Sequence, residues 1–274
     1  MIKKSLTYWY YDRGLRFYFY KFRFSVLGLL FFWFKPKVKF IIFSQGRSGS
    51  TLLSDLLDSS PIVKSDGELF GAGMPIRVRF PKCYMYLRMK SFRSDVYGCK
   101  IKVYDLEHQH GMNEDQTRKF LRARFAEGWK IIHLRRSNKL RQALSSLVAE
   151  TTAEYHATSD KPVSEREKIH VNVEELPHRL YWLNRYDQLE NEILKGFEPY
   201  KVSYEKHLLP AENHQALLDE LMAFLNLPTC KAKTSYRRTS ADNLKSYIAN
   251  YDEMVDVLTA NNYQEYLSTT PFES

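Results

Sequence analysis

Two stretches gather hydroxyls and guanidinium groups, and the first adds glycines at a spacing that suits an anionic ligand. The first is FSQGRSGSTLL, Phe43 to Leu53, which links an apolar run to a segment with leucines at helical spacing. Gly46 and Gly49 let the backbone turn tightly and approach a ligand closely. A helix starting near Ser50 would point its unpaired N–H groups and positive dipole end at the loop, and a phosphate-like anion is the usual occupant of such a place. Gly46, Arg47, Ser48, Gly49, Ser50, Thr51 and Leu52 are therefore candidate ligand contacts. Arg47 would oppose the helix dipole unless an anion lay there. The rival is the nucleoside-triphosphatase loop, which needs Gly-Lys before its Ser/Thr. Ser50 stands where that lysine belongs, so the rival is disfavoured; a plain glycine turn feeding a helix is the blander alternative.

The second stretch is KIIHLRRSNKLRQALSSLVAE, Lys130 to Glu150, with Arg135 and Arg136 at the end of a strand-like run and Ser145 inside a helical one. Two further segments carry ionisable groups. In GCKIK, Gly98 to Lys102, alternation puts Lys100 and Lys102 on one strand face. Two such cations call for an anion, or for a solvated sheet edge. In SDGELF, Ser65 to Phe70, Glu68 is a lone glutamate, a residue type common on a loop surface. His108, His110 and His133 are candidate bases, because imidazole titrates nearer neutrality; His133 sits inside a strand-like run and reads as packing. Lys139 and Arg141 read as a solvated helix face. Tyr204 reads as core, and Tyr236 as core or as a surface against a ligand base. No HExxH motif and no clustered carboxylate metal set is present, which agrees with a metal-free chemistry.

These groups need elements to hold them. Val38 to Phe43 is a nearly continuous apolar run, the mark of a strand buried on both faces. Helical spacing follows over 51–59, a strand over 97–104, and an amphipathic helix over 114–127 with Asn113 as N-cap and Gly128 at its end. A strand over 130–134, a helix over about 138–155, a polar loop over 158–168 and a long helix over about 174–195 come next. A strand at 200–204, a helix at 211–225 closed by Pro228, and a last helix over about 242–260 complete the pattern. Strands alternating with helices predict an α/β fold with a central, mainly parallel sheet between helical layers. Strand order is not legible.

Composition is that of a globular chain, with 44% hydrophobic and 27% charged residues, which excludes a disordered or fibrous protein. The net charge of +9 invites a nucleic-acid reading, but its distribution argues against one. Residues 1–40 hold nine Lys and Arg against one acid, leaving 32 bases and 31 acids for the rest. The same forty residues hold 15 of the 40 aromatics. Rings interleaved with cations suit a membrane interface, or an amphipathic helix packed on its own domain. The uncharged run Phe24 to Phe34 is too short for a bilayer core, which takes about 20 residues. Cys83, Cys99 and Cys230 form no metal or disulfide pattern. Cys99 reads as a buried hydrophobe, and a Cys83–Cys99 bridge stays open.

RSGST after a strand resembles the 5′-phosphosulfate loop of sulfotransferases, which use 3′-phosphoadenosine 5′-phosphosulfate. DGE is similar to a GE segment in the trehalose, nodulation-factor and tyrosyl-protein branches, where the glutamate is a proposed base. KIIHLRRSNKLRQALSS looks like the family's 3′-phosphate-binding strand, loop and helix. Arg136 and Ser145 match its roles best, with one extra residue between them keeping Arg135 as the alternative to Arg136. Lys100 resembles a lysine that steadies the transferring group. YRRTS, Tyr236 to Ser240, and IANYDEM, Ile248 to Met254, are similar to the basic loop and final helix of the nodulation-factor-like branch, which adds Arg238 to the donor contacts. Val202 to Glu205 resembles that family's late strand.

The resemblance covers residues 38 to about 267. It implies a P-loop-like fold and a sulfuryl transfer from that donor, without metal, to a hydroxyl of a carbohydrate or glycolipid. Glu68, Arg47 and Lys100 would be catalytic. A tyrosyl-protein acceptor, a nucleotide-dependent kinase and a non-catalytic nucleotide-binding protein are the alternatives. Residues 1–35 are expected as a separate basic aromatic segment and 36–274 as the catalytic domain. The expected location is cytoplasmic, with residues 1–34 on a membrane surface or packed on the domain, and no nucleic-acid partner.

Overall fold

The computed structural model describes residues 26–31, 33–71, 77–152, 168–234, 236 and 243–267 of the 274-residue chain. Five strands, β1 (Val38–Ser44), β2 (Val63–Glu68), β3 (Val96–Ile101), β4 (Lys130–Arg135) and β5 (Tyr200–Ser203), form one sheet in the order β2-β3-β1-β4-β5. Every neighbouring pair is parallel. Helices α1 (Ser50–Leu57), α2 (Pro81–Phe92), α3 (Glu114–Ala126), α4 (Lys139–Thr152), α5 (Leu176–Leu194), α6 (His214–Leu225), α7 (Leu244–Tyr247) and α8 (Tyr251–Ala260) follow in chain order.

Alternation along β1 explains the layering. Phe40 and Ile42 point into one core with the leucines of α1 and α6. Ile41 and Phe43 point into the other, with α2, α3 and α5. All four are fully buried, so the central strand has no solvent face, as its unbroken apolar sequence requires. Gly98 in β3 is glycine for a packing reason: a Cβ there would lie 1.9 Å from the Phe40 ring. The predicted α/β architecture is the observed one.

Several elements differ from the sequence reading. β2 was not expected, because an edge strand reading VKSDGE lacks an apolar run. It is held by buried polar bonds instead: Arg88 of α2 donates to both Asp66 oxygens at 2.7 Å, and Tyr97 Oη donates to Asp66 at 2.8 Å. α2 was also missed. β3 stops at Ile101 rather than running to Tyr104; helical backbone begins at Val103 and leads into a π-helical turn, Asp105–Gln109. The last helix is split at Ile248, which makes a parallel bridge with Ile169. Asn113 does cap α3, in a reciprocal capping box with Gln116. Cys99 is buried and unbridged, and Cys83 is exposed and free. No helix among the described residues is long and apolar enough to cross a membrane.

Candidate active site

The strands of a parallel sheet end together, and loops leaving β1, β3 and β4 converge at that carboxyl edge, where α/β folds place ligands. A cleft of about 1410 Å³ opens there. It exceeds the roughly 300–1,000 Å³ that one small ligand usually occupies.

One end is built by the loop between β1 and α1. Arg47 and Gly49 both take left-handed backbone angles, φ 60° and 94°. A Cβ on Gly49 would come within 2.7 Å of Tyr204, so glycine is needed for space as well as conformation. The loop carbonyls are tied back into the protein. Ser48 Oγ donates to Gln45 O at 2.7 Å, Gln142 Nε2 to Gly46 O at 2.7 Å, and Arg136 Nη1 to Arg47 O at 3.1 Å. With carbonyls held this way and no side chain capping α1, the helix N-terminus faces the cleft. Gly46, Arg47, Gly49, Ser50, Thr51 and Leu52 all line it. Ser48 does not; its hydroxyl shapes the loop.

Arg136 is the most unusual group at this end. Its side chain is 6% exposed, packs 4.4 Å from the Tyr204 ring, and leaves Nε buried with no hydrogen-bond partner. Burial holds its guanidinium below the ordinary arginine range. An anion at the cleft wall would offset that desolvation. Arg135 points elsewhere, donating to Asp187 at 2.8 Å. The fold thus brings Arg136, and not Arg135, to the cleft. Ser145 accepts from Arg47 Nε at 3.0 Å, which joins the two predicted stretches in one cluster. Tyr204, expected as core, instead roofs this cluster and lines the cleft. Arg238 lies outside the described residues. Lys139, read from sequence as solvated, is buried and pairs with Asp187 at 2.8 Å. Gln45 also donates to Asp187, so α5 braces the glycine loop.

The middle of the cleft is ionic. Lys100 is 6% exposed and donates to Thr51 Oγ1 at 3.2 Å. It lies on an inner strand, so the solvated-edge alternative fails, and burial lowers its pKa against the opposing pull of Glu68. Glu68 reaches the cleft because β2 shifts register after Asp66, which sets Glu68 beside Lys100 in the ladder. Its carboxylate meets Lys102 Nζ at 2.6 Å, and Gly71 leaves its side chain room, since a Cβ there would lie 2.6 Å from Oε2. Asp105 was not foreseen. Burial raises its carboxyl to about 7, with Glu68 pushing the same way and Lys102 and Lys100 opposing. A carboxyl titrating near neutrality in a cleft is a candidate proton carrier.

The outer end is aromatic. Tyr104 stacks on His108 at 4.6 Å, Trp182 stacks on Tyr186 at 5.7 Å, and His108 Nε2 bonds Tyr186 Oη at 2.8 Å. His178, Trp182 and Tyr186 recur every fourth residue on α5, a spacing visible in the sequence but not read as a site. His108 and His110 turn to different partners: Nδ1 of His110 accepts from Val78 N–H at 2.9 Å, and its Nε2 meets Phe70 O at 3.1 Å. His110 is therefore structural. His133 is buried against Glu190 at 3.1 Å, as packing predicts. Among the described residues no group of three or more His, Cys, Asp and Glu side chains is placed to hold a metal ion.

No protein-family model matches the chain, and no curated protein does. Among solved structures, a crystal structure of a sulfotransferase from Alicyclobacillus acidocaldarius is similar over 85% of this chain and 95% of that one, at 17% identity and a TM-score of 0.47.

Proposed function

We propose that this chain is a sulfotransferase that moves a sulfuryl group from 3′-phosphoadenosine 5′-phosphosulfate to a hydroxyl of a carbohydrate or glycolipid. The observation that carries the reading is the buried Arg136, with an unpartnered Nε, beside a glycine loop that lacks the triphosphatase lysine. Two anion sites, at the α1 N-terminus and at Arg136, suit a donor with separate 5′ and 3′ phosphates, and favour it over ATP.

The donor supplies an activated sulfuryl group on a phosphate leaving group. Arg47 and the first-turn amides of α1 stabilise the charge that grows on that phosphate as the S–O bond breaks. Lys100, held by Thr51, neutralises the sulfuryl oxygens. Glu68 accepts the proton of the acceptor hydroxyl as its oxygen bonds to sulfur. Lys102 orients that carboxylate. Ser145 aligns Arg47 with the Arg136 side of the cleft.

Calorimetry tests the donor site. Adenosine 3′,5′-bisphosphate should bind the wild-type protein more tightly than ATP. Arg136→Ala should weaken it about a hundredfold, the scale for removing one partner of a desolvated charge pair. Equal affinity for ATP, or no loss in the variant, sinks the reading.

Residues 36–274 form the catalytic domain in this proposal, and residues 1–35 a segment that meets a membrane surface from the cytoplasmic side. Residues 26–30 form a helical turn whose Gly28 packs so closely on Leu87 that a Cβ would lie 2.5 Å from its carbonyl oxygen. Leu29, Leu30 and Trp33 face outward, 63%, 56% and 65% exposed, within the basic aromatic segment. Such apolar projections flanked by cations suit a headgroup layer. Deleting residues 1–34 should abolish sedimentation with anionic liposomes; sedimentation that persists refutes the assignment.

A further inference from the structure

We infer that the aromatic end of the cleft is a saccharide subsite, in which Tyr104 and Trp182 offer ring faces to the acceptor sugar. This rests on the transferase reading above and names the groups that would choose its acceptor.

The position follows from the chain. Lys102, paired with Glu68, is the last residue before the turn that begins at Val103, so Tyr104 stands two residues beyond the ionic centre. A hydroxyl presented to Glu68 leaves the rest of its molecule along this wall. The wall is rigid: Tyr104 is backed by His108, and Trp182 by Tyr186, through stacked pairs tilted by only 25° and 29°. Its front is open, with Tyr104 50% and Trp182 37% exposed. Large rings held this way and left partly bare suit an interaction surface.

The rim decides which ligand they suit. Arg179 donates to both oxygens of Glu150, at 2.9 and 2.7 Å, and to Glu175 at 2.6 Å. His178 accepts from Trp182 Nε1 at 2.9 Å. All of these line the same cleft. A sugar ring has an apolar C–H face and an edge of hydroxyls. The C–H face meets the negative face of an aromatic ring, and the hydroxyls meet fixed carboxylates and a guanidinium. A phenolic acceptor would need apolar closure around its ring, and this rim is charged. The cleft volume also leaves room for a second ligand beside a nucleotide.

The test uses the full chain saturated with adenosine 3′,5′-bisphosphate. It is titrated with a series of methyl hexosides and hexose disaccharides, and separately with p-nitrophenol, by calorimetry and tryptophan fluorescence. At least one saccharide should saturate. Tyr104→Ala should weaken it about tenfold, the scale of one lost ring contact, with bisphosphate affinity unchanged. Trp182→Phe should keep most of the binding that Trp182→Ala loses, which separates a missing ring face from a damaged helix. Saturation by p-nitrophenol alone, or by no saccharide, overturns the inference while bound bisphosphate leaves the donor reading standing. Failure of the bisphosphate to bind sinks the donor reading, and this inference with it.

Discussion

The two ends of the cleft are built by different means. At the glycine-loop end the lining residues lie on short contiguous segments, and much of the work is done by backbone: a left-handed turn, carbonyls tied back, a helix start without a cap. At the aromatic end the contacts are side chains from separate elements, with Tyr104 and His108 beyond β3 meeting Trp182 and Tyr186 of α5. Backbone anion sites demand particular residues at particular spacings, so they leave a readable pattern. A wall of rings needs only large aromatic side chains that happen to converge, and those are indistinguishable from core until the chain folds. α5 connects the two ends, since the same helix carries Trp182 and the Asp187 that accepts from Gln45.

That division can be broken by experiment. The largest effect should come from Glu68→Gln, which removes the proposed proton acceptor between the two ends. Labelled-sulfate transfer should fall by about 10²–10⁴, while bisphosphate affinity stays at the wild-type value. Unchanged transfer would pass the role to Asp105, and lost donor affinity would mean that the ends are not separable. A smaller effect concerns stability. Asp105 titrates at about 7 in the fold, above the ordinary aspartate range, because of burial. The native state therefore holds a proton that the unfolded chain releases near pH 4. Its contribution to stability is present at low pH and is lost as pH rises through 7. Asp105→Asn keeps an acceptor for Gln109, whose amide lies 3.2 Å from Oδ1. The variant should gain on the wild type between pH 4 and pH 8 by at most about 4 kcal/mol. Urea midpoints that shift in parallel with pH would show that Asp105 does not carry this burial.

Legibility in the sequence followed the range of the interaction. The apolar run of β1 and the capping box of α3 are local signals, and both elements formed as expected. β2 was invisible because its stability comes from Asp66, Arg88 and Tyr97, which are distant in sequence. Lys139 illustrates the same limit in reverse. Its sequence neighbourhood is that of a solvated helix face, yet Asp187 from α5 makes burial tolerable. Tyr204, whose type suits a core, became the roof of the glycine loop because β5 delivers it over Gly49.

The amino-acid sequence by itself determined the α/β alternation and the glycine loop with its helix, because each depends on residues a few positions apart. Resemblance to sulfotransferase segments, and not those local rules, named Arg136, Glu68 and Lys100 as candidates, without saying how they meet. Tertiary structure alone decided that Arg136 rather than Arg135 turns to the cleft, and that a register shift in β2 sets Glu68 beside Lys100 and Lys102. It also decided that Asp105 is buried among charges and that aromatic rings from two elements form one wall. The reason is physical: burial and ion pairing depend on which segments the sheet brings together, and strand order is set by packing of the whole chain.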